Sequence, residues 1–300
     1  MVTTAVFAQG FYFRAGLGYA FAQAGQTMYD SPTPYNGFPT GYNGTRTNTA
    51  NSETYSIKNA SFSAGFQGGF GFGYMFTDNI GVQLDGGIGL SNKTYTFNDN
   101  GFASGGVVYN MSTSQEARTP LLLMPSLILQ TNGSGNINAY TRFGIALPLN
   151  TKITQDQVIS NAPGTGALTV DDFTWQLKSS FSIGFTAAAG IKYKINDRVS
   201  IWGEVSLLSM SLNAKEQDLT NWTENGQSIS LSQYNNAQTI KYSKSATVDS
   251  TFSQLPAYSL PFSNIGISFG ITTTLSHSTN HHSSSRDSNG LIDNKPYRRR

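Results

Sequence analysis

The 300-residue chain has no cysteine, which excludes a disulfide scaffold, a thiolate metal site and a thiol nucleophile. Its three histidines, His277, His281 and His282, are confined to the C-terminal end. No phosphate-binding loop, HExxH zinc motif or GxSxG nucleophile elbow is present. Charged residues make up 12% of the chain, where a soluble domain carries about 25%. No apolar run approaches the roughly 18 residues of a membrane-spanning helix; the longest, Pro120 to Leu129, is interrupted by Ser126. What the chain does have is 31 Gly, 19 Phe and 15 Tyr. Sparse charge, many aromatics and abundant glycine leave one membrane class open, the β-barrel, whose lipid-facing residues alternate with polar ones and escape a hydropathy average.

The net charge of +2 misleads as a guide to partners. Residues 278–300 hold Arg286, Lys295, Arg298, Arg299 and Arg300 against Asp287 and Asp293, a balance of +3 that leaves the rest at −1. The body lacks the basic field that draws in nucleic acid, so no nucleic-acid partner is expected. At the other end, Val6 and Ala8 have the small-residue spacing of a signal cleavage site. Residues 1–9 read as a signal-peptide remnant or as an ordinary frayed terminus. The expected organisation is that segment, a barrel over residues 10–277, and a polar, basic tail over 278–300.

Alternation with a period of two dominates the middle of the chain. Between Phe62 and Phe76 the even positions are almost all aromatic or apolar, while the odd positions are Ser63, Gly65, Gln67, Gly69, Gly71, Gly73 and Met75. The same grammar covers Phe11–Phe21, Ile80–Leu90, Ile137–Leu147, Phe181–Tyr193, Val199–Leu207 and Ile265–Leu275. An eighth, less regular strand runs from about Arg118 to Gln130, where Pro120 and Pro125 each remove a ladder donor. Short links at Thr77–Asn79, Thr131–Asn136 and Asn196–Arg198 alternate with long ones near residues 22–60, 98–116, 150–178 and 213–263.

Long and short connections alternating along eight strands put every short turn at one end. The expected fold is therefore all-β: an eight-stranded antiparallel up-and-down transmembrane β-barrel with short periplasmic turns and long external loops. Both termini are then periplasmic, and the location is the bacterial outer membrane. Closure is required, because an open edge in hydrocarbon leaves backbone groups unpaired at several kcal/mol each. About eight strands enclose only enough space for side chains, which argues against an open porin. The soluble alternative, a lipocalin-like barrel with its bulky face inside, needs a charged exterior. Here the less apolar face is mostly Gly, Ser and Ala.

With strands and turns placed, the chain resembles the small outer-membrane barrels typified by the transmembrane domain of OmpA. The likeness rests on the phrases Gly73-Tyr-Met-Phe-Thr-Asp-Asn-Ile-Gly81 and Gly190-Ile-Lys-Tyr-Lys-Ile-Asn-Asp-Arg198. The last strand, Asn264-Ile-Gly-Ile-Ser-Phe-Gly-Ile271, is similar to the insertion signal that the barrel-assembly machinery reads. That resemblance implies lipid and the assembly machinery as partners, and no cofactor. The chain departs from the family by continuing past this strand, and no peptidoglycan-binding domain is carried over.

Five inward charges, Arg14, Asp85, Arg142, Lys192 and Glu204, are expected to pair in the lumen, since buried charges are costly alone. They form either a satisfied polar core or, as the resemblance implies, a gate with low conductance. Trp222, Tyr234, Tyr242 and Tyr258 in the fourth loop stand among Asn, Gln and Ser, the composition of contact surfaces, and are candidates for touching a protein partner. The tail is a second place for such a contact. His277-Ser-Thr279-Asn280 resembles only loosely the His, Ser and Asn of outer-membrane lipid A deacylases, with Thr where those enzymes have Ser. No catalytic residue and no metal site is assigned, and the expected role is structural or interactive rather than enzymatic.

Overall fold

The computed structural model describes residues 10–23, 43–49, 52–58, 61–90, 93–102, 108–117, 121–131, 135–149, 151–162, 168–234, 237–247 and 252–275. Residues 1–9, the tail beyond 275 with its histidines, Arg118 and Pro120 lie outside them. Eight strands close into a barrel: β1 (Gly10–Ala22), β4 (Gly65–Met75), β5 (Ile80–Gly89), β8 (Leu121–Gln130), β9 (Ile137–Leu149), β12 (Gly184–Lys194), β13 (Val199–Ser209) and β19 (Asn264–Thr274). Neighbours in the chain pair antiparallel, and β1 completes the ring by pairing with both β19 and β4. Short turns join β4 to β5, β8 to β9 and β12 to β13, so the turn end and the long-connection end are opposite, as the spacing predicts.

The bulky columns point outward. Phe185 and Phe269 keep 68% and 67% of their surface exposed, and Phe11, Phe66, Phe70, Phe143, Ile191 and Ile267 lie on the same outer face. A contiguous apolar surface wrapped round a closed barrel is the surface of a membrane-spanning β-barrel, since monomers in water rarely expose more than isolated patches. In β8, Pro125 is paired with Leu84 on the β5 side, while the β9 ladder is interrupted at Met124 and Pro125. The missing donor is accommodated there.

The long connections are not loops in the ordinary sense. Their described parts form β2 (Asn43–Thr49), β3 (Ser52–Lys58), β6 (Lys93–Phe102), β7 (Val108–Ala117), β10 (Lys152–Ala162), β11 (Thr169–Ser179), β14 (Ser211–Glu224), β15 (Gln227–Ser228), β16 (Thr239–Ser243), β17 (Gln254–Pro256) and β18 (Ser259–Pro261). They make a second sheet in the order β17-β16-β14-β11-β10-β7-β6-β2-β3. The hairpins β6–β7 and β10–β11 prolong the barrel strands that carry them, which satisfies backbone groups that a long irregular loop would leave to water.

The run β13–β14 displays the change of surroundings along one strand. Its outward residues go from Ile201, Val205 and Leu207 to Ser209, Ser211, Asn213 and Lys215, all exposed. Its inward residues go from Trp202, Glu204 and Ser206 to Leu208, Met210, Leu212 and Ala214. The faces exchange chemistry near residue 208, which places the boundary between hydrocarbon and water. The larger apolar core lies beyond that boundary, built from Leu177, Leu212, Ile240, Leu260 and Phe262, each nearly inaccessible.

Candidate functional site

Four of the five expected luminal charges meet inside the barrel. Alternation turns Arg14 of β1, Asp85 of β5, Arg142 of β9 and Glu204 of β13 to the axis, so strands far apart in sequence deliver one charge each. Arg142 bridges the two carboxylates: its Nη1 lies 2.7 Å from Asp85 Oδ2 and its Nη2 lies 2.6 Å from Glu204 Oε1. Arg14 Nη2 reaches Glu204 Oε2 at 3.0 Å. Two guanidinium groups and two carboxylates leave the cluster neutral, the condition for keeping charge away from water. Lys192 stands apart. Its Nζ donates to Gln130 Oε1 at 2.9 Å, and it forms no ion pair among the described residues. One strand-row nearer the turn end, it is out of reach of the carboxylates.

Uncharged neighbours complete the cluster. Glu204 accepts from the Tyr140 hydroxyl at 2.8 Å and the Ser268 hydroxyl at 3.3 Å, besides both arginines. Gln83 Nε2 donates to Asp85 Oδ2 at 2.6 Å, and the Tyr12 hydroxyl donates to Gln83 Oε1 at 2.7 Å. The Arg14 guanidinium lies 3.8 Å from the centre of the Trp202 ring, a cation–π contact in a dry setting. Sequence reasoning missed these partners, although a signal existed. Tyr12, Gln83, Tyr140 and Trp202 each precede a cluster charge by two residues, and therefore face the lumen with it. Glycine makes the room: a side chain on Gly71 would collide with Asp85, and one on Gly16 with Trp202.

A cavity of about 120 Å³ lies next to the cluster. Arg14, Asp85, Arg142 and Glu204 line one side, with Ser63, Ser206 and Ser268 on its walls. Phe62, Leu122, Leu208 and Phe262, members of the larger apolar core, close the other side. The lumen thus holds an ionic layer and an apolar layer in series, with a void between them that both polar and apolar groups line and that is roomy enough for water.

The fourth-loop aromatics, expected as contact candidates, pack against one another and their neighbours, Tyr242 buried and the other three half-buried. Trp222 stacks on Phe173 at 5.8 Å, and Tyr234 packs edge-on against Phe173, Trp175 and Trp222. Tyr242 is buried, meets Tyr258 edge-on at 5.2 Å and donates to Gln217 Oε1 at 2.6 Å. Burial raises the ionisation of both hydroxyls above the ordinary tyrosine range. Tyr242 belongs to the apolar core of the second sheet, and Trp222, Tyr234 and Tyr258, each half-buried, pack against that core. The sheet's outer face instead carries Lys178, bonded at 2.8 Å to both Glu216 and Asp218. Those hydrogen bonds raise the Lys178 ammonium and lower the Asp218 carboxyl from their ordinary values.

No protein-family model matches the chain, and no curated protein matches it. Among solved structures, it is similar to the outer membrane protein OprG from Pseudomonas aeruginosa, at 11% identity and a TM-score of 0.43, covering 90% of this chain and 98% of that one. It is also similar to the outer membrane protein W of E. coli, at 18% identity and a TM-score of 0.36, covering 90% of this chain and 99% of that one.

Proposed function

We propose that the chain is an OmpA-type barrel of the bacterial outer membrane, with an occluded lumen and a structural or interactive role. Its short turns and both termini face the periplasm, and its second sheet stands outside the cell. The role is envelope integrity, adhesion or membership of a larger membrane assembly, exercised through the sheet and without catalysis. Its partners are outer-membrane lipid, the barrel-assembly machinery during insertion and a protein at the external face or the tail. The observation that carries the reading is the neutral Arg14–Glu204–Arg142–Asp85 cluster packed across the lumen, with the apolar core stacked beyond it.

A second reading is favoured by the void beside that cluster: a small channel whose ionic layer opens rarely. Planar-bilayer recording of wild type and Glu204→Ala separates the two. Silence from both supports the occluded barrel. Discrete openings in wild type that become frequent in Glu204→Ala establish the channel instead. Extraction of the protein from whole cells only with detergent, in the outer-membrane fraction, is the outcome expected for its location.

A further inference from the structure

The void between the ionic layer and the apolar layer is lined by donors that the fold leaves uncommitted. Arg14, 6% exposed, donates a single hydrogen bond among the described residues, from Nη2 to Glu204. Arg142, by contrast, engages all three of its nitrogens, on Glu204 and Asp85. Thr186, 7% exposed, and Ser206 line the same void, and neither hydroxyl meets a partner among the described residues. The two are diagonal neighbours across β12 and β13, since Thr186 pairs with Leu208 and Ala188 with Ser206. At ordinary sheet spacing they stand about 7–8 Å apart, and the two oxygens of one carboxylate reach both.

Charge favours an anion there. The charged side chains of the eight barrel strands are Arg14, Arg142, Lys192 and Lys194 against Asp85 and Glu204, all on the lumen-facing parity, a surplus of two positive charges. The neutral quartet offsets none of that surplus, and in a narrow, low-dielectric lumen it acts beyond its own strand row. A monoanion in the void halves it. Size sets the rest: about 120 Å³ is slightly less than an apolar cavity of about 150 Å³ that takes benzene, room for about six non-hydrogen atoms. The wall opposite the charges is Phe62, Leu122, Leu208 and Phe262. A bare inorganic anion leaves that wall uncovered, whereas a short aliphatic tail removes it from water.

We infer that the void binds a short-chain aliphatic monocarboxylate of about four carbons: its carboxylate accepts from Arg14, Thr186 and Ser206, and its tail lies against Phe62, Leu122, Leu208 and Phe262. The inference rests on the occluded lumen proposed above, which the bilayer recording tests by itself. Its own test is isothermal titration calorimetry of sodium butyrate into protein purified in mild detergent, at constant ionic strength. Wild type binds one butyrate per barrel. Formate, which lacks the apolar tail, binds at least about tenfold more weakly, and so does butyramide, which has the tail without the charge. Thr186→Val keeps the side-chain shape, removes the hydroxyl and lowers affinity about tenfold, while Thr272→Val, buried in the lumen but outside the void, binds as wild type does. Where Thr186→Val fails to give the heat-modifiable mobility of a folded barrel, Ser206→Ala is read in its place, with the same expected loss. No heat with wild type, equal affinity for formate or butyramide, or a Thr186→Val affinity equal to that of Thr272→Val overturns the inference. Discrete openings of the wild-type barrel in the bilayer overturn the occluded lumen instead.

Discussion

Within the barrel, the side chains facing the axis are Arg14, Asp85, Arg142 and Glu204, and those facing out are Phe, Ile and Leu. In the second sheet the assignment is reversed: Trp175, Leu177, Leu212 and Ile240 face in, and Lys178, Asn213 and Lys215 face out. The chain passes from one region to the other with a single residue, Met210, between β13 and β14. The difference therefore belongs to the surroundings. Each region puts its apolar residues wherever water is absent, outside in the membrane and inside above it, and one strand, β13–β14, does both.

This contrast can be tested from either side. Glu204→Ala leaves Arg14 without a carboxylate and Arg142 with Asp85 alone, a buried cluster of net charge +1, and should destabilise the barrel by about 3–5 kcal/mol, read as a lowered urea midpoint in detergent. An equal midpoint would mean that the ionic layer is solvated. Leu177→Ala, in the core of the sheet, should cost about 2–5 kcal/mol and appear as faster proteolysis of the sheet while the barrel resists. Loss of both together would make the two regions one cooperative unit. On the outward face of β13–β14, Val205→Arg should cost about 2–4 kcal/mol near the membrane midplane, against less than about 0.5 for Asn213→Arg. Equal costs would erase the boundary near residue 208. The smallest effect is at Asp218. Its carboxyl is held below the ordinary value of 3.8 by Lys178, so the stabilisation it contributes is present above that value and lost as pH falls through the lowered one. A chemical-shift titration in which Asp218 ionises at its ordinary value would show the surface pair to be absent in solution.

All eight barrel strands were legible in the sequence, because lipid outside and a narrow lumen inside impose a strict period of two. Even the irregular strand was found from the need for an even count. The second sheet was not legible. In β6 and β7 the inward set includes Asp99 and Thr113 among Phe97 and Met111, and the opposite face is polar too, so alternation disappears. In β14 a register shift between Lys178 and Ser179 of its partner moves the inward set from Ala214 to Gln217, which breaks the period. For the same reason the burial of Tyr242 was not legible. Of the luminal site, the charges were legible and their i−2 neighbours were overlooked. Lys192 shares their parity but sits too near the turn end, a height that parity alone does not report.

The seam between β1 and β19 joins Tyr12 to Thr274 and Ala22 to Asn264. Every other barrel pairing joins successive barrel strands, whereas this one joins the first of them to the last. Until they pair, the first strand has a bare edge that cannot enter hydrocarbon. Closing the ring in hydrocarbon therefore requires both of these strands at once.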